Sequence, residues 1–265
     1  MYYLIHTYRT SCKTVEQPPG FGDFLRGSAA LYQLSKKYGF NLKIDFSCHP
    51  LSQYLEQTDS VAYDDNAEVH EFFNQNNAAL EPFISTLPEN SQSLVTTHCV
   101  PVSGIDEGCR RFLKKRLSPT RQLQTTLKDV MNQLGRDYCV VHLRMGDHSI
   151  GGGCSAVPAV DTWFRDIIVP EWGDRILVLS DNSWIKEHLS ERFGSMFILN
   201  TPVHLGQCGT LEFPRTGVRD SMVDFFTMSK AQKIYQYSVY PWGSGFSDMC
   251  TQIYRIPLIK IIPMV

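Results

Sequence analysis

The chain has 265 residues and a net charge of −2, and hydrophobic residues make up 43% of it against 20% charged residues. This composition is typical of a globular protein with a sizeable core, and the charge provides no basic field for nucleic acid or an anionic membrane. The eight cysteines are scattered without a CxxC pair, which argues against a zinc site or a disulfide scaffold and favours free thiols in a reducing cytosol.

Strand-like and helix-like runs alternate from the start of the chain. We predict a strand from Tyr2 to Thr7, a helix from Phe24 to Tyr38 that ends at Gly39, and a strand from Leu42. This βαβ order favours a parallel sheet. The polar stretch from Gln53 to Gln92 is expected to form short helices and loops.

The second half of the chain repeats the alternation. A strand is predicted from Leu94 to Val100, and one or two helices, interrupted near Ser118, from Arg110 to Leu134. The strand at Cys139 opens a second α/β unit. Its further predicted elements are a helix near Thr162 to Val169, a strand Arg175 to Ser180, a helix Trp184 to Phe193, a strand Met196 to Leu199, a helix Ser221 to Lys230, a strand Lys233 to Gln236 and a helix Gly245 to Tyr254.

The run CVVHLRMGDHS is the most informative segment for function. A short apolar strand stops abruptly at His142, Arg144, Gly146 and Asp147. Ligands of open α/β sheets bind at the carboxyl ends of strands, and an arginine there can donate two parallel hydrogen bonds to a phosphate. The plain alternative is a strand end with a surface Arg–Asp pair, and both interpretations stay open.

Three further loops follow predicted strands. The loops Gly20 to Gly27 and Tyr240 to Asp248 are rich in glycine and lead into helices, where backbone N–H groups can cradle a phosphate, although most such turns only join elements. In LSDN, Asp181 could accept a hydrogen bond from a ligand hydroxyl or could cap the next helix. Asp224 lies among apolar residues and needs a partner if it is buried.

Taken together, these segments resemble the fucosyltransferase superfamily, and within it the nodulation α1,6-fucosyltransferase group. The resemblance is carried by PGFGDFLRGSAALYQLSKKYGFNLKID, by HLRMGD as an HxRxGD motif, by LVLSDN, and by DFFTMSKAQKIYQYSVYPWGSGFSDM. It extends in order from Pro19 to about Tyr254. It implies a GT-B-like α/β fold with two Rossmann-like lobes facing a cleft: residues 1–135 on the acceptor side and residues 136–265 binding the nucleotide-sugar.

The resemblance also implies residue roles. Arg144 would bind the β-phosphate of the leaving diphosphate, His142 would line the base or ribose pocket, and Asp224 would accept from guanine N1 and N2. The diphosphate would be held at a helix N-terminus by Ser244, Gly245, Phe246 and Ser247. The cleft wall near the sugar would be shaped by Gly20, Phe21 and Gly22.

The chain departs from the family pattern in two ways. Many relatives carry two adjacent arginines where this chain has Arg144 followed by a methionine, so a phosphate contact is missing or comes from elsewhere; the candidates are Arg26, Arg215 and Arg219. Some relatives also place a glutamate base a few residues beyond the motif, where this chain has HSIGGGCS. The expected base is therefore Asp147, then His148, and Asp23 if neither acts.

The sequence thus predicts an inverting, metal-independent glycosyltransferase that moves L-fucose from GDP-fucose onto a hydroxyl of a glycan acceptor. No cofactor or metal is expected, because arginine and helix donors can stabilise the diphosphate, and Asp64–Asp65 is a poor metal motif. The alternatives are another donor such as UDP-xylose, or a non-catalytic nucleotide- or glycan-binding module. With no signal peptide, stem or transmembrane segment recognised, a cytoplasmic bacterial or large-virus enzyme is expected.

Overall fold

The computed structural model of the chain describes residues 2–8, 19–59, 61–62, 67–73, 78–146, 157–198, 202–207 and 215–261. Its contacts divide the chain into two compact units. The first comprises Met1–Thr120 with Leu205–Phe213, and the second comprises Arg121–His204 with Pro214–Val265. Each unit contains a parallel β-sheet, so the predicted α/β, GT-B-like class is confirmed. The assignment of an acceptor lobe and a donor lobe stays a prediction.

The first unit has a parallel sheet in the order β2-β1-β4-β3. Apolar residues such as Leu4, Leu31 and Val95 form its core between β-strands and helices. The strands and helices of this unit are β1 (Tyr3–Thr7), α1 (Phe21–Tyr38), β2 (Asn41–Asp45), β3 (Val69–Phe72), α2 (Leu80–Ser85), β4 (Gln92–Thr97) and α3 (Glu107–Arg116).

The second unit has a parallel sheet in the order β7-β6-β5-β8-β9, with β5 at its centre. Five of the six residues of β5 are buried, as expected for a strand covered on both faces. Its strands and helices are α4 (Arg121–Leu134), β5 (Cys139–Arg144), α5 (Val157–Trp163), α6 (Val169–Trp172), β6 (Ile176–Ser180), α7 (Ser183–Phe193), β7 (Met196–Phe197), α8 (Arg215–Met228), β8 (Lys233–Ser238), α9 (Gly245–Tyr254) and β9 (Leu258–Ile261). A π-helical segment, Phe164–Ile168, joins α5 to α6.

Most predicted elements are present, and the differences have physical reasons. The polar stretch from Gln53 to Gln92 contains β3, whose half-buried residues lie at the edge of the sheet and give no apolar run. Strand β9, at one edge of the second sheet, was likewise not predicted. Helix α1 begins at Phe21 rather than Phe24, so most of the glycine-rich segment is helical.

Across the described residues, the helices are too short or too polar to cross a lipid bilayer.

Candidate active site

Several candidate residues of the second unit lie at the carboxyl edge of its sheet. Strand β5 ends at Arg144 between β6 and β8, with Leu143 in register with Ser180 and Arg144 with Ser238. Asp181, which follows β6, and the loop from β8 to α9 therefore lie on either side of the end of β5. This is the edge at which parallel sheets bind ligands.

Arg144 is held at this edge by Asp181. Its Nη1 atom donates to Asp181 Oδ2, and both side chains are only 15% exposed. The same carboxylate accepts from the backbone N–H groups of Met145, at 2.8 Å, and Gly146, at 3.3 Å. Asp181 thus fixes both the guanidinium and the first residues after β5. The helix cap that was the alternative role for Asp181 is made by its neighbour Asn182, which accepts from Ile185 N.

His142 lies inside the unit and connects β5 to α9. Its Nδ1 atom is 2.9 Å from Ser247 Oγ, and its ring centroid lies 5.8 Å from that of Phe246. Burial, with a smaller contribution from the Arg144 charge, lowers the pKa of His142 to about 3. The imidazole is therefore neutral near pH 7 and braces the helix; its contact with a base or ribose stays a prediction.

Gln236 is a site residue that the sequence did not reveal. It is 2% exposed, and its Nε2 atom donates to Ser247 Oγ at 2.6 Å, to Ser244 O at 3.1 Å and to Asp248 Oδ1 at 3.1 Å. A glutamine in the middle of the buried strand KIYQYS was the available signal, because a buried amide needs partners. Its partners place it under the first turn of α9.

The start of α9 is the helix N-terminus that is predicted to hold the diphosphate. The helix begins at Gly245, and the side chain of the N-cap residue, Ser244, makes no capping hydrogen bond to the first turn. First-turn N–H groups have no partner inside a helix and carry the positive end of its dipole. The predicted diphosphate segment, Ser244 to Ser247, forms this N-terminus, and its binding of a diphosphate stays a prediction.

Asp224 is buried on α8 and is 5% exposed. Lys186 on α7, 2% exposed, donates from Nζ to Ile198 O at 3.3 Å. Burial lowers the pKa of Lys186, and the charges of Asp224 and Asp220 oppose that shift. The buried carboxylate predicted to need a partner is thus close enough to Lys186 to affect the pKa of that lysine; guanine recognition by Asp224 stays a prediction. On the same helix Arg219, a candidate for the missing phosphate contact, pairs with Asp220 at 3.0 Å.

In the first unit, the predicted cleft residues lie at the start of α1. Gly20 is the N-cap, Phe21 and Gly22 are buried, and the Phe21 ring lies 6.4 Å from that of Tyr8. One turn later, Asp23 and Arg26 form an ion pair at 2.9 Å. Contact of these residues with a sugar stays a prediction.

Arg26 reaches the carboxyl end of β4. Its Nε donates to His98 O at 3.3 Å. Burial lowers the pKa of His98; the Asp23 charge opposes this shift and the Arg26 charge adds to it. Asp23 and Arg26 are thus engaged with each other and with the end of a strand, so neither is an isolated surface charge.

Two buried histidines of the first unit were not singled out from the sequence. His6 stacks on Phe24 at 4.0 Å, and burial lowers its pKa to about 3. His49 stacks on Tyr8 at 4.2 Å, and burial lowers its pKa to about 4. His49 Nδ1 accepts from Leu51 N, so Nε2 carries the proton and donates to Leu205 O at 2.8 Å. Both are structural residues that nothing in the local sequence distinguishes.

Several predicted residues lie outside the described part of the chain. They are Asp147 and His148, the expected bases, and the pair Asp64–Asp65. Arg215 begins α8, and its side chain also lies outside the described part. Among the residues that the structure does describe, no three His, Cys, Asp or Glu side chains are placed to hold a metal ion.

Comparison with known proteins identifies the fold. No protein-family model and no curated protein matches the chain. Among solved structures, the NodZ alpha-1,6-fucosyltransferase co-crystallised with GDP is 14% identical with a TM-score of 0.61, over 98% of this chain and 94% of that one. The selenomethionine form of NodZ from Bradyrhizobium is 13% identical over the same shares, with a TM-score of 0.62.

A plant enzyme gives the same result. A point mutant of Arabidopsis thaliana FUT1 in complex with GDP is 12% identical with a TM-score of 0.54, over 97% of this chain and 69% of that one. These matches span both units of the chain. The fold that the resemblance implied is thereby confirmed: the chain shares the fold of the NodZ and FUT1 structures.

Proposed function

We propose that the protein is an inverting, metal-independent glycosyltransferase that transfers L-fucose from GDP-fucose to a glycan hydroxyl. The observation that carries the proposal is the arrangement at the carboxyl edge of the second sheet. Arg144, fixed by Asp181, ends the central strand, and the N-terminus of α9 lies in the segment after the neighbouring strand. The solved fucosyltransferase structures of this fold that contain GDP or GDP-fucose support a guanine nucleotide as the donor carrier.

The chemistry follows from these donors. The acceptor hydroxyl attacks the anomeric carbon from the face opposite the diphosphate, and the new C–O bond forms as the bond to the diphosphate oxygen breaks. That oxygen keeps the electron pair and gains negative charge. Fixed donors aimed at a developing anion lower the barrier, and Arg144 and the α9 amides are such donors. No cofactor or metal is needed for this stabilisation.

The remaining roles belong to the same proposal. Asp147, or His148 in its place, removes the proton of the acceptor hydroxyl, which makes the hydroxyl a competent nucleophile. Asp224 accepts from guanine N1 and N2, and Ser244, Gly245, Phe246 and Ser247 hold the diphosphate. In this scheme the lobe of residues 136–265 binds the donor, and the lobe of residues 1–135 faces the acceptor.

Nucleotide selectivity tests the proposal first. A bound ligand raises the melting temperature by mass action, so GDP should raise Tm more than UDP or ADP. Arg144→Ala should remove most of that shift and slow transfer from GDP-fucose roughly a hundredfold or more. The matched control is Arg165→Ala, because Arg165 forms an exposed ion pair with Asp166 and should behave as the wild type.

Three results would favour a different donor, a different function or a different mechanism. A Tm shift with UDP alone would favour another donor such as UDP-xylose. A shift with GDP but no transfer or donor hydrolysis would favour a non-catalytic binding module. Transfer that stops in EDTA and returns with Mg²⁺ or Mn²⁺ would contradict the metal-independent chemistry.

A further inference from the structure

An exposed pair of stacked aromatic rings lies in the loop between β8 and α9. The rings of Tyr240 and Trp242 are 5.1 Å apart between centroids and inclined by 14°. Trp242 is 72% exposed, and Tyr240 is half-buried. One face of the indole is thus covered by the phenol ring, and its exposure requires the opposite face to be open to solvent.

The loop holds this pair in a defined position. Ser238 Oγ accepts from Tyr240 N at 3.1 Å and donates to Gly243 O at 3.2 Å, and Gly243 N donates to Tyr240 O at 3.0 Å. Gly243 has a φ of +84°, and a Cβ there would lie 2.5 Å from Gln236 Oε1. This turn therefore requires glycine and presents Trp242 outward from a braced backbone.

The pair is continuous with the proposed diphosphate site. Val239 N donates to Arg144 O at 3.1 Å, which ties the loop to the end of β5. The Arg144 guanidinium carbon lies 5.7 Å from the centroid of the Tyr240 ring. Guanidinium, phenol and indole thus follow one another along the carboxyl edge of the sheet, with the indole outermost.

We propose that the open face of Trp242, although it belongs to the donor lobe, binds a pyranose ring of the acceptor glycan other than the sugar that the lobe of residues 1–135 holds. The face of an aromatic ring carries partial negative charge, and the C–H bonds on one face of a pyranose carry partial positive charge and can lie flat against it. A ring fixed before binding loses little entropy when the sugar docks. The inference rests on the proposed function, because Arg144 marks where the sugar is transferred.

The position of the indole favours the acceptor over the donor nucleotide. The donor phosphates are assigned to Arg144 and to the partly buried start of α9, whereas the free face of Trp242 is turned to solvent. When only the terminal part of a glycan enters the site, the remaining sugar rings need an open surface such as this indole face. Stacking of the donor base on Trp242 is the competing outcome of the test.

Binding of defined oligosaccharides tests the inference. Cellotetraose, chitotetraose and maltotetraose are titrated by calorimetry into the wild type, Trp242→Ala, Trp242→Phe and Trp184→Ala. Trp184 is the matched control, because it is also exposed and stacked on a neighbouring ring, that of His188 at 5.1 Å. We expect Trp242→Ala to weaken binding of at least one tetrasaccharide roughly tenfold, Trp242→Phe to restore part of it, and Trp184→Ala to change nothing.

The Tm shift with GDP separates this inference from the proposed function. A normal GDP shift in Trp242→Ala, together with the loss of saccharide affinity, supports the acceptor role. Loss of the GDP shift in that variant would assign Trp242 to the donor base and overturn it. Equal saccharide affinity in the wild type and Trp242→Ala, or no binding by any of the three at millimolar concentration, would also overturn it. If Trp242→Ala weakens saccharide binding but no nucleotide raises the Tm of the protein, the result contradicts the proposed enzyme activity and supports a saccharide site at Trp242.

Discussion

At the scale of single residues, Asp181 determines where Arg144 points. Its carboxylate accepts from the guanidinium and from two backbone N–H groups that follow β5. An asparagine has nearly the same shape but carries no charge and only one acceptor oxygen. We predict that Asp181→Asn lowers the free energy of unfolding by about 1–3 kcal/mol and weakens GDP binding. Urea unfolding and nucleotide titration measure the two effects.

A second Arg–Asp pair in the same unit provides the control. Arg165 and Asp166 are adjacent in sequence, and both are more than half exposed. Solvent screens such a pair, so Asp166→Asn should leave both stability and GDP binding unchanged. If Asp181→Asn matched this control in both measurements, Asp181 would not position Arg144.

The sequence predicts residues at strand ends better than residues that act through others. Arg144 and the start of α9 could be named as candidates because a strand end and a glycine-rich turn have local signatures. The contact of Gln236 with Ser247 joins residues 11 positions apart, and that of Asp181 with Arg144 joins residues 37 positions apart. In the sequence, neither residue of a pair indicates its partner, so these contacts are seen only in the folded protein.

At the scale of elements, helix α1 depends on a close approach to β4. Gly27 lies inside this helix, and a Cβ added there would be 2.0 Å from Thr97 O, a backbone atom. The helix would have to move away from the sheet. Although alanine favours helix, we predict that Gly27→Ala lowers the free energy of unfolding by about 2 kcal/mol or more. Urea unfolding monitored by circular dichroism measures the loss.

Gly104 is the control for this substitution. A Cβ added at Gly104 meets no atom within 4 Å, and its φ is not in the left-handed region. Gly104→Ala should therefore be neutral or slightly stabilising, because it restricts the unfolded chain. Equal stability of the two alanine variants would contradict the close packing at Gly27.

The same glycine shows the limit of sequence patterns for elements. The segment GFGDFLRG was interpreted as a glycine-rich turn before a helix, and most of it is helix. A glycine that permits close packing and a glycine that permits a turn look identical in sequence. Edge strands such as β3 are also missed by sequence patterns, because a half-buried strand has no continuous apolar run.

At the scale of the whole molecule, the alternation of strands and helices predicted a parallel sheet and a second α/β unit, whereas the expectation of two lobes came from the family resemblance. Each buried strand reads as an apolar run, and each helix carries an apolar stripe, so the α/β class follows from periodicity. The likeness to fucosyltransferases needed the ordered set of motifs, because no single motif is specific. The boundary between the units depends on tertiary contacts: α4 packs against α8 and so belongs to the second unit.

Histidine burial makes a prediction about the stability of the molecule as a whole. Within the described residues, burial lowers the pKa of His6 and His142 to about 3 and that of His49 to about 4, from an ordinary 6.5. Below pH 6.5 the unfolded chain therefore takes up protons that the folded protein does not bind. The stability contributed by each neutral histidine is complete above pH 6.5 and is lost as pH falls toward 4.

The free energy of unfolding should thus decrease by up to about 1.4 kcal/mol per pH unit for each of these histidines between pH 6 and pH 4. Urea unfolding at a series of pH values measures the slope, and His142→Asn should reduce it by the contribution of one proton. NMR of the ring C–H protons provides the direct check in the folded protein. Resonances of His6, His49 and His142 should not titrate between pH 7.5 and pH 5. Titration of any of them near pH 6.5 would mean that its ring reaches solvent in the folded state.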